Sequence, residues 1–117
     1  MIEIVEKKSR FLGYAYSGIC ASDIERILKD LSNEHKKATH ICYAYNIITG
    51  GVSAKAFDDG EPSGTAGKPI FNVIEKKKLI DVLIVVVRYF GGIKLGAGGL
   101  VRAYSKCASE CVKEILD

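Results

Sequence analysis

Two clusters in the second half of the chain carry the residue types that could do chemistry. The first, Asp58-Asp59-Gly60-Glu61-Pro62-Ser63-Gly64-Thr65-Ala66-Gly67-Lys68, places three carboxylates and two hydroxyls close together. The second runs from Val82 to Lys106 and carries Arg88, Lys94, Arg102 and Lys106 with no acid among them. Carboxylates suit Mg²⁺ or Ca²⁺, but Asp-Asp-Gly-Glu does not have the spacing of an EF-hand loop, and no metal is expected. Ser63 and Thr65 lack an assignable base, because both histidines, His35 and His40, precede them. Chain order therefore yields no Ser-His-Asp or Cys-His set, and no catalytic residue is assigned.

Eight of the 12 glycines fall between Gly60 and Gly99, in these two loops. Neither loop is a nucleotide fingerprint. A P-loop needs Gly where Pro62 stands and Ser or Thr where Pro69 stands. Gly96-Ala97-Gly98-Gly99-Leu100-Val101 fails the dinucleotide spacing at Val101. A more general chemistry remains. The last helix is predicted to start near Gly98-Gly99 with no Ser, Thr, Asp or Asn as cap, which leaves amide donors open to an anion. Arg102 in that first turn opposes the helix dipole and so calls for an acidic partner. The partner is either Asp58, Asp59 or Glu61 of the first loop, or an external phosphate or acidic protein. Arg88, Lys94 and Arg102 are expected to converge there, facing the acidic loop, with the apolar strand leaving the sheet at Arg88.

The elements that must position these loops are readable from periodicity. Phe11 to Tyr16 alternates as an opening strand. Ser22-Asp23-Ile24-Glu25 has the form of a capping box, and Ile24, Ile27, Leu28 and Leu31 form one helical stripe to about His35. His40–Ile48 and Val52–Phe57 form a hairpin around Thr49-Gly50-Gly51. Pro69 opens a second helix with Ile70, Val73 and Ile74 inside, and Lys76-Lys77-Lys78 reads as its terminus or as a nucleic-acid patch. Leu79–Val87 is apolar on both faces, hence a central strand. Leu100, Tyr104, Cys107, Cys111 and Ile115 mark the inner face of the last helix. This order gives a two-layer domain, with the helices at about 22–35 and 100–115 sharing one core.

A chain of 117 residues with 48% hydrophobic and 26% charged residues fits one folded domain. Its longest apolar run, Val82–Val87, is far below the roughly 20 residues that span a bilayer. The charged segment Met1–Arg10 has no signal-peptide core. The expectation is a cytoplasmic protein with no membrane contact. The net charge of +3 is too mild to announce nucleic acid by itself. Cys20, Cys42, Cys107 and Cys111 form no CxxC and are expected to be reduced and mostly buried.

With these residues in place, the sequence resembles the IMPACT family. The resemblance lies in Asp58-Asp59-Gly60-Glu61-Pro62-Ser63-Gly64-Thr65-Ala66-Gly67-Lys68-Pro69 and in Arg88 to Ser105. Lys8-Ser9-Arg10-Phe11 and His40-Ile41-Cys42-Tyr43-Ala44-Tyr45 add two earlier motifs, and the match runs from about residue 7 to residue 112. Lys68 stands where the family often has Arg. The resemblance implies an α+β two-layer sandwich, with a mixed β-sheet and helices packed on one face, like the second domain of small-subunit ribosomal protein five. The chain is expected to be a single IMPACT-type domain over residues 1–117, departing from the family in having neither the RWD domain of eukaryotic members nor the C-terminal ferredoxin-like domain usual in bacterial ones. Eukaryotic members are translational regulators that bind the ribosome-associated activator of a starvation-sensing kinase. The implied function is thus a non-enzymatic, stress-linked regulator binding RNA, ribosome or a translation-associated protein, without a cofactor. The alternative is a small enzyme acting on a phosphorylated or anionic substrate between the two loops. The anion- or partner-binding candidates are Arg10, Arg88, Lys94, Gly98, Gly99 and Arg102. The acidic-loop candidates are Asp58, Asp59, Glu61, Ser63 and Thr65.

Overall fold

Five consecutive valines, isoleucines and leucines after Val82 cannot leave either side of a strand in water, and the architecture follows from that demand. In the computed structural model, which describes residues 1–116, the chain order is β1 (Ile2–Glu6), β2 (Ser9–Ser17), α1 (Ala21–Glu34), β3 (His40–Ile47), β4 (Ser53–Phe57), α2 (Gly67–Lys76), β5 (Val82–Tyr89), α3 (Gly96–Cys111) and a closing π-helical turn (Val112–Leu116). The strands form one sheet in the order β1-β2-β5-β3-β4. β5 is central, as predicted, and is flanked by β2 and β3 along its length.

Side-chain alternation then divides β5 between two cores. Val82, Ile84 and Val86 pack with Ile70, Val73 and Ile74 of α2 and with Leu100, Tyr104 and Cys107 of α3. Leu83, Val85 and Val87 face the other way, onto Ile24, Ile27 and Leu31 of α1. The α+β class is as expected, while two details differ. The helices lie on both faces, so α1 and α3 do not share a core, because the central strand has an apolar row on each side to cover. The sheet is antiparallel at every pairing and not mixed, because β5 enters between two hairpins and runs opposite to both its neighbours.

Three local boundaries also shift. β1 is an added edge strand, joined to β2 by the two-residue turn Lys7-Lys8, both residues having positive φ. Its buried Ile2 and Ile4 alternate with Glu3 and Val5, a pattern hidden among the charges. α1 begins at Ala21, and its capping box uses Cys20 and Asp23 instead of Ser22 and Glu25. α3 starts two residues earlier than predicted, at Gly96.

Cys42, Cys107 and Cys111 are buried and Cys20, at the cap of α1, is exposed, and all four are free thiols. The expectation of burial therefore fails only where the thiol serves a helix start. Burial pushes the Cys42 and Cys111 thiols up to about 12, so both remain neutral packing groups. The absence of a side chain at Gly13 makes room for the sulfurs of α3. A Cβ there would stand 3.0 Å from the sulfurs of both Cys107 and Cys111, so α3 seats on β2 at a glycine. Among the described residues no helix is long and apolar enough to cross a membrane.

Ile84 is fully buried in the core shared by α2 and α3. Ile84→Ala is expected to cost about 2–5 kcal/mol in a denaturant titration. A loss below about 1 kcal/mol would be inconsistent with its place in β5.

Candidate functional site between the two loops

The site grows from one residue at the end of β5. Arg88 stays inside the sheet, paired with Phe11 of β2 on one side and His40 of β3 on the other. Alternation points its side chain toward α2 and α3, where it is only 6% exposed. The expectation that the strand leaves the sheet at Arg88 is thus corrected: β5 continues to Tyr89. A guanidinium can remain at such depth because its charge is met there. Nη1 donates to both Glu61 carboxylate oxygens at 3.0 and 2.8 Å, and Nη2 donates to Ser9 Oγ at 3.2 Å. The Phe11 and Phe90 rings each lie 5.5 Å from the guanidinium carbon.

Glu61 has two further neighbours, Tyr104 and His40. The Tyr104 hydroxyl of α3 donates to Oε2 at 2.5 Å. Burial first, then the neighbouring Cys42 and Glu61, hold the Tyr104 phenol far above its ordinary range, so it acts as a donor. Cys42 Sγ donates in turn to Tyr104 Oη at 3.4 Å. His40 Nε2 stands 3.3 Å from Glu61 Oε1. Its Nδ1 is 2.7 Å from the Asp59 carbonyl, an acceptor that requires the Nδ1 proton.

The remaining acids of the first loop shape the loop itself. Asp58 accepts the backbone N–H groups of Gly64, Ala66 and Gly67 at 2.9, 3.1 and 2.8 Å, and Asp59 accepts that of Ile41 at 2.7 Å. Partial burial works against ionisation of Asp58, but the three amide donors outweigh it and hold the carboxyl below its usual range. Thr65 is buried and donates to the Pro62 carbonyl at 2.6 Å, whereas Ser63 is exposed. Among the described residues no group of three His, Cys, Asp or Glu side chains could hold a metal.

The second loop crosses the first β-hairpin at Gly91, where any side chain would collide with the Lys8 backbone. The Phe90 amide donates to Thr39 Oγ1 at 2.9 Å and the Gly91 amide to Ser9 Oγ at 3.2 Å. α3 then begins without a side-chain cap. Between the loops lies a groove of about 410 Å³, lined by Thr39, His40, Glu61, Pro62, Arg88, Phe90, Lys94, Leu95, Gly96, Ala97 and Leu100. Its floor is the Arg88–Glu61 pair with His40, its walls are apolar, and Lys94 is an exposed cation among its lining residues. It can receive a group that is part apolar and part anionic.

Of the predicted site residues, the groove brings together Arg88, Lys94 and Glu61. Arg102 is not among them. It lies along the first turn of α3 beside Gly98 and Gly99, in a separate depression with Glu6 and Lys7. The acidic loop does have an internal cation, and it is Arg88 instead of Arg102. Helix-dipole reasoning favoured the residue nearest the helix start, whereas strand register decides which side chain points at the loop. Arg10 pairs with Glu3 on the outer face of the first hairpin, at 3.0 and 3.1 Å. Ser9, Thr39, His40, Phe90 and Tyr104 were not among the predicted site residues. For Tyr104 the available signal was its place on the buried stripe of α3. For His40 it was its place in the motif His40-Ile41-Cys42-Tyr43-Ala44-Tyr45.

The family described as the Impact N-terminal domain matches residues 7–112. IMPACT family member YvyE of Bacillus subtilis is 48% identical to the chain over 113 residues, covering 97% of the chain and 52% of that protein. The crystal structure of an hypothetical protein superposes with a TM-score of 0.88 at 33% identity, covering 97% of this chain and 56% of that one. The structure of the two-domain translational regulator Yih1 superposes with a TM-score of 0.58 at 23% identity, covering 95% of this chain and 44% of that one. The chain spans about half the length of these relatives.

The Asp58 bonds predict a pH dependence. A carboxyl held low in the folded state contributes stability that is present above the unfolded carboxylate range and lost as pH falls through the folded value. Asp58→Asn should cost about 1–3 kcal/mol at neutral pH. The gap to the unsubstituted protein should narrow below about pH 4 in denaturant titrations. A gap that is constant with pH would contradict the role given to the carboxylate.

Proposed function

The chain belongs to the IMPACT family, and from that premise we propose that it is a translation-linked binding module that contacts RNA, ribosome or a translation-associated protein. The observation that carries this reading is how charge is divided at the two-loop end of the domain. Asp58 and Asp59 are committed to backbone amides and Glu61 to Arg88. Lys94 and Arg102 are exposed, and among the described residues neither forms an ion pair. The acids hold the fold and the cations are left for a partner that is negatively charged, as RNA and ribosomal surfaces are. Yih1, a translational regulator, shares this fold, which supports the same class of function.

A second reading, a small enzyme acting on a phosphorylated or anionic substrate, is favoured by one observation. The groove joins both glycine-rich loops and sets His40 Nε2 beside Glu61, a pairing that can move a proton. Turnover of a phosphate-ester panel that is abolished by His40→Gln in a folded protein would put this reading first.

The test of the binding reading is capture of the tagged protein from its own cell extract with and without ribonuclease. Ribosomal subunits or translation factors should be recovered. Where purified RNA binds, Lys94→Ala and Arg102→Ala should each lower the slope of log K against log salt by about one unit per lost phosphate contact. Both variants should stay within about 0.5 kcal/mol of the parent in stability. Recovery of the bait alone would overturn the proposal.

A further inference from the structure

The sheet face covered by α1 extends past that helix onto β3 and β4. Alternation places Tyr43 and Tyr45 on this face. The register sets Phe57 opposite Tyr43 and Lys55 opposite Tyr45. The cluster under α1 contains Leu12, Leu83, Val85, Val87 and Ile47 of β3, with Tyr43 and Tyr45 only partly buried against it, so the outer strands are only partly covered. Tyr43 and Tyr45 are half-buried, Phe57 is 37% exposed and Lys55 is exposed. The two tyrosine rings are nearly parallel, 6.2 Å apart with 9° between planes, and Phe57 lies 5.0 Å from Tyr43. Lys55 Nζ sits 5.2 Å from the Phe57 ring centre and 5.7 Å from that of Tyr43.

The hairpin segment that carries these rings has charge of one sign. From His35 to Phe57 the chain carries Lys36, Lys37 and Lys55 and no acid. Asp81, which meets the hairpin at its turn, is occupied by the amides of Ile48 and Thr49 and by the Thr49 hydroxyl. Aligned aromatic faces with a cation across them complement a polymer that alternates flat π-surfaces with negative charge. A duplex keeps its bases stacked on one another, whereas a single strand offers them to protein rings.

We propose that the Tyr43, Tyr45, Phe57 and Lys55 face of β3 and β4 binds single-stranded RNA, with bases stacking on the rings and Lys55 meeting the phosphate backbone. This surface lies on the side of the sheet opposite the two-loop groove. The proposal rests on the translation-linked reading for the choice of RNA over DNA, while the demand for a single strand comes from the rings themselves.

The experiment is anisotropy of a labelled oligouridine ten-mer with the full chain, beside an RNA hairpin duplex and a DNA oligomer of matching length. Because the chain has no Trp, its intrinsic emission comes from tyrosine, and quenching on binding reports stacking directly. The single strand should bind at least tenfold tighter than the duplex. Phe57→Ser and Tyr45→Leu should each weaken it by roughly five- to hundredfold, the range for one lost base stack. Should Tyr45→Leu fail to fold, Phe57→Ser and Lys55→Gln, both at exposed positions, decide the matter. No binding, equal binding of the duplex, preference for DNA, or ring variants that bind as tightly as the parent would each overturn the proposal. Ribosomal capture that survives these failures leaves the translation-linked reading in place. Oligomer binding without such capture sinks that reading alone.

Discussion

A guanidinium set into an apolar layer must be neutralised and hydrogen-bonded where it lies, and Arg88 imposes that requirement at the end of the most hydrophobic strand. Its partner, Glu61, comes from a loop with no regular structure of its own, so the loop has to be shaped to deliver it. Asp58 does this by gathering three amides, and Asp59 ties the same loop to β3. Ser9 and Tyr104 complete the set from β2 and α3. One ion pair thereby fixes the relation of two strands, a helix and a glycine-rich loop.

Such a pair is a poor source of net stability, because removing both charges from water costs about as much as their attraction returns. Its effect is on geometry. With Glu61 drawn inward, the groove has a neutral, rigid floor, and the charge that remains outward is positive. The amide donors at the start of α3 carry no side-chain cap, so that end of the domain stays polar. Among the described residues the buried Arg88 Nε has no hydrogen-bond partner, so the site is arranged around Nη1 and Nη2 and does not satisfy every donor. The opposite sheet face has a different chemistry, with aromatic rings and lysine in place of an internal ion pair. The domain therefore presents two distinct surfaces on one antiparallel sheet.

Much of this was legible in the sequence where local pattern and tertiary role coincide. Val82–Val87 had to be central, the His40–Phe57 hairpin followed from its turn residues, and the meeting of the two glycine-rich loops followed from the path of the chain. The identity of the cation facing the acids was not legible. Helix position pointed to Arg102, but the pairing of Arg88 between Phe11 and His40 is a register, and register is set across strands distant in sequence. The position of α1 was hidden for a similar reason. Its stripe of Ile24, Ile27 and Leu31 says that one face is buried, and not against which side of the sheet. β1 went unread because Glu3 and Glu6 obscure the alternation of Ile2 and Ile4. Cys20 belied its residue type because a helix start needed it at the surface.

The claim that the loops are tied together by a buried ion pair is tested most directly by a double-mutant cycle on stability with Arg88→Met and Glu61→Gln. Each single change leaves the opposite group buried without its counter-charge, and should cost about 3–5 kcal/mol. The double variant should cost clearly less than the sum of the two. Single losses below about 1 kcal/mol that simply add in the double variant would contradict the account.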